Sequence, residues 1–390
     1  MIFKSSSPLS PNVDVAIDNV PTDYLQMQRI IVEEEENKHT MVVIDFSGMS
    51  PDIVADYIDK PIKIKIDFSN LSGIEFFGYI VFLEPTSVTN HGLVEGSPFQ
   101  LTRLYCMGAS YVMKSKNSKS WENVTLSDIA LKIADTYKLS VAVPKDDYRF
   151  TRLTQTNQSD WSFLVETATK LGYSVSVTGT HIHIWDPYTL LSRNISYSVL
   201  TNIIGNAGNI TPSIGQILSF EGRIGAVTSS ASRTPDTLHV LDRDGSLMTI
   251  SSSLTDEPSG FGDSLESKFT NTISTNADTY EMGKRLVSGN LRKKFSNTAN
   301  VLITGSPEIR PGGIVKINKY NSKLDGFWYV TSTKHELTKS ELISTIKIAT
   351  DGTAVSTPTY NKTEVYVDPP TPSLLKSTWV SSVHSAVIYN

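Results

Sequence analysis

In PIKIKIDF, Pro61 to Phe68, the residues Ile62, Ile64 and Ile66 share one side of an extended chain while Lys63, Lys65 and Asp67 share the other. That two-residue period is the signature of a half-buried strand. Similar strand-like runs are TMVVIDFS (Thr40 to Ser47), FFGYIVFLEP (Phe76 to Pro85) and PFQLTRLYCM (Pro98 to Met107), so the chain to about Tyr111 predicts a β domain. One interruption, SPDIVADYID, has Ser50 as a helix N-cap, Pro51 at the first helical position and Asp52 facing the positive end of the helix dipole. It predicts a short helix within that domain.

After Lys114 the period becomes helical. In VTLSDIALKIADTYKL, Thr125 caps, Asp128 stands at the capping-box position, and Leu126, Ile129, Ala130, Ile133, Ala134 and Tyr137 mark one buried face. A second helix starts at Ser159 as N-cap with Asp160 beside it, carries Trp161, Leu164, Val165, Ala168 and Leu171 along one stripe, and stops at Gly172. The hairpin SVSV-TGT-HIHIW follows, with Gly179 at the bend. Residues 115–189 therefore read as a small α+β unit of two helices and a hairpin.

From Leu190 to Thr272 the chain is rich in Ser, Thr, Gly and Asn, with strand candidates GQILSFEG and TLHVLDRDGSLMTIS, the latter turning at Asp244-Gly245. NADTYEMGKRLVSGNLRKKF predicts a third helix, with Tyr280, Leu286, Val287 and Leu291 on its apolar side and Arg292, Lys293 and Lys294 at its C-terminal end. The strands ANVLITG, GIVKINKY, GFWYVTSTKHEL and ELISTIKIAT complete a second β domain, 190–352. Residues 353–390 are a proline-rich linker and a final segment, LLKSTWVSSVHSAVIYN. The division is thus 1–114, 115–189, 190–352 and 353–390.

Composition narrows the function classes. The chain has 390 residues, 39% hydrophobic and 19% charged, enough apolar mass for two to four domains. A net charge of -5 with scattered basic residues gives no electrostatic footprint for tight duplex binding. The single cysteine, Cys106, excludes an intramolecular disulfide framework and reads as a small buried apolar residue, compatible with a reducing cytosol. No run approaches the roughly 18 apolar residues of a membrane span and the N-terminus lacks an export signal, so a soluble protein is expected.

Candidate chemistry is sparse. Walker, GxSxG, HExxH and protein-kinase signatures are missing from the sequence. His181 and His183 share a strand face and are the best metal candidates, but no third ligand lies nearby; the preferred reading is two imidazoles on a solvated hairpin face beside Trp185. The run Glu33 to Glu36 reads as a solvated acidic surface, and DRDG lacks the later acidic ligands of an EF-hand loop. Asp128, Asp160 and Glu166 could supply a glycosidase-like carboxylate pair, yet the first two already have helix-start roles. No catalytic residue, metal or cofactor is expected.

Two separated segments resemble the baseplate hub proteins of contractile phage tails, including the late control D proteins, and the N-terminal part of type VI secretion spike proteins. The first is LSDIALKIADTYKL followed by QTNQSDWSFLVETATKLGYSVSVTGTHIHIWDP, where Gln155, Ser159, Asp160, Trp161, Phe163 and Leu164 match a Q-x-x-x-S-D-W/F-x-F-L pattern and Gly172 closes the helix. The second is GSPEIRPGGIVKINKYNSKLDGFWYVTSTKHEL, where Gly305, Pro307, Ile309, Pro311, Gly312, Leu324, Gly326, Trp328, Val330 and His335 match a glycine-proline turn, a strand and a late histidine. Most of these are turn formers and inward strand residues, suited to a barrel wall.

The resemblance implies a mainly β chain: two tail-tube-like β-barrel domains flanking the α+β unit, three copies closing a pseudo-hexameric ring. Such a homotrimer would be the structural hub of a phage tail tip or baseplate, adapting the sixfold tail tube above to the threefold spike below. It would line part of the DNA channel without specific DNA binding. The implied partners are the tube protein, a separate spike protein and other baseplate proteins, with assembly in the host cytoplasm and residence in the virion tail. A phage-derived contractile injection system is the alternative setting. Rivals from other classes are a tail-tip cell-wall hydrolase, tested at Asp160 and Glu166, and a host-binding adhesin using the loop-rich part 190–272. Trp379, Val383 and Val387, after the linker, are expected to dock on a neighbour.

Overall fold

The structure, a computed structural model, describes residues 11–22, 26–47, 55–68, 73–88, 99–144, 148–187, 200–204, 216–223, 236–241, 247–251, 271–272, 283, 286, 297–318, 326–338, 341–350 and 386–389. Seven strands come first: β1 (Pro11–Ile17), β2 (Val20–Pro21), β3 (Gln26–Glu35), β4 (Met41–Ser47), β5 (Pro61–Phe68), β6 (Ile74–Val88) and β7 (Phe99–Gly108). They pair antiparallel in the order β3-β4-β7-β6-β5-β1-β2. Ile62, Ile64 and Ile66 all face inward, as their alternation with charged residues predicts. The sheet curls, because Val15 and Ile17 of β1 share one core with Ile30 and Val32 of β3 and Val42, Ile44 and Phe46 of β4. Each such fully buried side chain contributes about 1.5–3 kcal/mol. Of the short helix expected from Ser50, residues 48–54 lie outside the described residues, and 55–59 form one helical residue and a turn.

A 3-10 helix (Ala109–Lys114) leads into the inserted unit: β8 (Lys116–Thr125), α1 (Leu126–Tyr137), β9 (Ser140–Pro144), β10 (Arg149–Ser159), α2 (Asp160–Lys170), β11 (Ser174–Thr178) and β12 (His181–Trp185). Thr125 and Asp128 form the reciprocal capping box at the start of α1. Ser159 accepts from the Ser162 amide at the start of α2. Gly172, at φ +88°, lets the chain leave α2 while its amide bonds the Thr169 carbonyl at 3.0 Å. The helices, the hairpin and β9 share a core that includes Ile129, Ile133, Leu164, Val175, Val177, Ile182 and Ile184. β8 and β10 form an antiparallel ribbon beside them. That ribbon escapes a pattern reading because only Trp121 and Thr125 of β8 are buried.

The remaining strands are β13 (Leu200–Ile204), β14 (Ile217–Arg223), β15 (Asp236–Leu241), β16 (Leu247–Ser251), β17 (Asn271–Thr272), β18 (Asn297–Thr304), β19 (Ile314–Asn318), β20 (Gly326–Thr338), β21 (Leu342–Thr350) and β22 (Ala386–Tyr389). β14-β18-β21-β20 pair antiparallel; β19 joins β20, and β13 runs parallel to β19. Their core is Ile217, Ala299, Val301, Ile303, Val315, Ile317, Trp328, Val330, Ile346 and Ile348, with Ile309 from the turn before β19. β15, β16 and β17 form a separate three-stranded sheet. Of the expected third helix, Gly283 and Leu286 are helical and the rest lies outside the described residues.

Two independent barrels are not what the described residues form. β20 pairs antiparallel with β3, from Ser332↔Glu35 to Thr338↔Arg29, so both halves belong to one continuous thirteen-stranded sheet. Among the described residues neither half closes on itself. The physical reason is that the edge of β3 opposite β4, which a closed first barrel would return to its own opening strands, is taken by β20. Opposite charges fix the register: Lys334 faces Glu33 at 3.0 Å, and Arg29 reaches Asp45 at 2.8 Å and Glu336 at 3.2 Å. Burial pushes the Asp45 carboxyl up, but the hydrogen bonds and charges of Arg103 and Arg29 prevail and hold it below the usual range. The joint is also apolar, since Leu337 and Leu342 lie in the core of the first half. Among the described residues the architecture is thus mainly β: a thirteen-stranded sheet, the separate sheet of β15, β16 and β17, and an inserted α+β unit.

Candidate functional site: the junction of the sheet halves and the inserted unit

The turn after β3, residues 36–40, is where both sheet halves and the inserted unit meet. Asn37 adopts the left-handed conformation at φ +64°, which its short polar side chain tolerates. Its amide donates to the Val175 carbonyl at 2.7 Å and its Oδ1 accepts from the Val175 amide at 3.0 Å. The Thr40 hydroxyl adds a bond to the Val177 carbonyl at 3.0 Å. Together these close the edge of β11 that β12 leaves open. His39 stacks on Trp161 at 5.0 Å between ring centroids, and its Nδ1 lies 2.7 Å from the Ser110 hydroxyl. On the other side the Glu36 amide donates to the Thr331 carbonyl of β20.

A relay crosses the junction: the Trp185 indole donates to the Tyr329 hydroxyl at 2.7 Å, which donates to Glu36 Oε2 at 2.8 Å. Burial pushes the Tyr329 phenol well above its ordinary pKa, and the charge of Glu36 pushes the same way, so it stays a donor. Gly312 explains the turn PGG. Its φ is +85°, and a Cβ there would lie 2.8 Å from the Trp185 ring, so only glycine lets the inserted unit lie against the second sheet half. Beneath the relay Arg310 pairs with Glu34 at 2.6 Å, their side chains 10% and 7% exposed. Removing either partner would leave the other a buried, uncompensated charge.

Two histidines belong to this region. His335 is buried, bridging the Ser344 hydroxyl at 2.8 Å and the Ile309 carbonyl at 3.0 Å. Burial and the charge of Arg310 lower its pKa to about 4. His183 has its Nε2 shut inside without a partner among the described residues, and burial, His181 and Arg310 bring its pKa to about 4. The expected solvated pair of imidazoles is met only in part: both residues are half-buried, and the Nε2 of His183 is enclosed. His181 touches the Ser140 hydroxyl, and its ring centroid is 6.3 Å from that of His183. Among the described residues no group of three His, Cys, Asp or Glu side chains could hold a metal ion.

Among the motif residues of the inserted unit, Asp160 is the buried polar centre, 2% exposed. It accepts from Gln155 Nε2 at 2.8 Å, the Tyr137 hydroxyl at 2.9 Å and Asn117 Nδ2 at 3.3 Å, and pairs with Lys119 at 3.2 Å. Burial pushes its carboxyl up, and the hydrogen bonds from Gln155 and Tyr137 with the charge of Lys119 outweigh that and keep it low. Gln155 also accepts from the Trp121 indole, Trp121 stacks on Phe163 at 5.6 Å, and Leu164 is fully buried. Asp128 is engaged by the Thr125 cap and Arg149, and Glu166 by Lys170 and Gln158. In the second sheet half the Gly305 amide bonds the Leu342 carbonyl at 2.8 Å, Pro311 precedes Gly312 in the turn, Gly326 opens β20 and Trp328 fills the core. Val387 lies in β22, which pairs with β9; Leu324, Trp379 and Val383 lie outside the described residues.

Glu34, Glu36, Asn37, Arg310 and Tyr329 were hidden from a reading that took Glu33 to Glu36 as solvent-facing. A signal existed: continuing the two-residue period of Ile30 and Val32 through the acidic run puts Glu34 on their inward face.

The sequence profile of the Alg8 N-terminal domain matches residues 93–210, a span that begins before β7 and ends after β13 and coincides with no unit of the fold. No curated protein matches the chain. In structure it is similar to the tail protein from Neisseria meningitidis MC58, with TM-score 0.62 and 11% identity over 89% of this chain and 98% of that one. The 43 kDa tail protein of prophage MuSo2 from Shewanella oneidensis gives TM-score 0.61 and 12% identity over 88% and 99%. An Escherichia coli component of the type VI secretion system, described as similar to bacteriophage T4 tail proteins, gives 0.52 and 9% over 86% and 76%. The chain has the fold these proteins share.

Proposed function

We propose that this chain is a structural, non-enzymatic hub of a phage tail tip or baseplate. As a homotrimer it adapts the sixfold tail tube to a threefold spike and forms part of the DNA channel. The observation that carries the reading is the likeness to two tail proteins over nearly the whole of both chains, sheet halves and inserted unit together. The net charge of -5 suits a lumen through which DNA passes without sticking. The carboxylates a wall hydrolase would use are held as acceptors, Asp160 by four donors and Glu166 by Lys170 and Gln158. The likeness to the type VI secretion component favours a phage-derived injection device as the second setting for the same role. Light scattering with low-resolution imaging tests the reading. A three-copy ring with a central channel is expected; a monomer would overturn it.

A further inference from the structure

Besides the β8-β10 ribbon, the inserted unit has a sheet in the order β11-β12-β9-β22. One edge of β9 runs parallel to β12, and the other carries β22, paired as Ala386↔Val141, Val387↔Ala142, Ile388↔Val143 and Tyr389↔Pro144. The β9 sequence SVAVP has no charge to guard an open edge, and Val141 and Val143 are buried. Uncovered, such an edge is a template for another chain. Its cover is short, and parallel pairing is the less stable kind, so four residue pairs hold by local concentration more than by intrinsic affinity. Residues 351–385 join β21 to β22 and could span about 120 Å if fully extended. That reach exceeds the size of the folded chain, whose radius of gyration is about 21 Å by length scaling. The backbone bonds to β9 are the same whichever copy supplies the strand. In a closed ring every copy both gives and receives one, so exchange leaves no edge open and adds a covalent strap from each copy to the next.

We propose that the edge of β9 on which β22 lies is a strand-accepting site whose occupant in the assembled oligomer is residues 386–389 of a second copy of this chain. The proposal rests on the homotrimer reading, and the test separates the two. Ala142→Cys and Val387→Cys are made on separate chains, which are mixed during assembly, oxidised and run under denaturing, non-reducing conditions. The native Cys106 is buried, and burial raises its thiol pKa, so it does not compete. A covalent dimer containing one chain of each variant is expected, in a preparation whose solution mass is three copies. A second preparation carries both substitutions on one chain; a trimer in which only this double variant cross-links, within single chains, overturns the exchange and leaves the hub reading standing, and a monomer overturns both. No cross-link in either preparation also overturns the exchange. Deleting 386–390 gives an independent measure: at least a tenfold weaker trimer is expected, and unchanged dissociation counts against the strap.

Discussion

Asp160 gathers donors from β8, α1 and β10 at the first position of α2, so one carboxylate ties four elements of the inserted unit. Replacing it with alanine leaves Gln155, Tyr137 and Lys119 facing a buried gap. Asp160→Ala is expected to cost about 2–4 kcal/mol, and Asp160→Asn less, as read from the urea midpoint. Because its folded pKa lies below the ordinary aspartate value, the carboxylate's contribution is present above that value and lost as pH falls through the folded one. The sequence showed Ser159 as a cap and Asp160 as a charge at the positive helix end, since both roles are encoded within one turn. The larger role of Asp160 was not legible, because Asn117, Lys119 and Tyr137 are distant in sequence and no local pattern names them.

Among the elements, β20 has the widest reach: it pairs with β19, β21 and β3, and its Leu337 sits in the core of the first sheet half. Leu337→Ala is expected to destabilise by about 2–4 kcal/mol. Hydrogen exchange should show the loss of protection spreading to β3, β4 and β5; a change confined to β18 and β21 would contradict the shared core. Strands with clean alternation, such as β5, were legible because burial on one face imposes the period. β8 and β10 were not, because a two-stranded ribbon with both faces largely exposed carries no apolar period. The 3-10 helix at Ala109–Lys114 was likewise missed, being shorter than the window in which helical spacing shows.

At the scale of the whole molecule, the junction makes stability depend on pH. His183 and His335 have folded pKa values near 4, below the ordinary value of 6.5, so between these limits the unfolded chain binds more protons and stability falls as pH falls. The groups facing them are Arg310 for both, His181 for His183, and Ser344 with the Ile309 carbonyl for His335. Moving from above pH 6.5 to pH 5 is expected to remove about 2 kcal/mol for each histidine. Urea midpoints at pH 7.5 and pH 5 check this, and His335→Gln should flatten the difference. The mainly β class and the helices Leu126–Tyr137 and Asp160–Lys170 were legible in the sequence, but the continuity of the sheet was not. It rests on pairing Arg29–Glu35 with Ser332–Thr338, and nothing in either stretch points to the other. That pairing has a consequence for biosynthesis. At about 5–20 residues per second, β3 leaves the ribosome some 15–60 s before β20 is made. During that interval the first half has neither its outermost neighbour nor the two leucines that finish its core. The core of the first half is therefore completed only when translation is nearly done, so any contact that needs that half fully folded forms late.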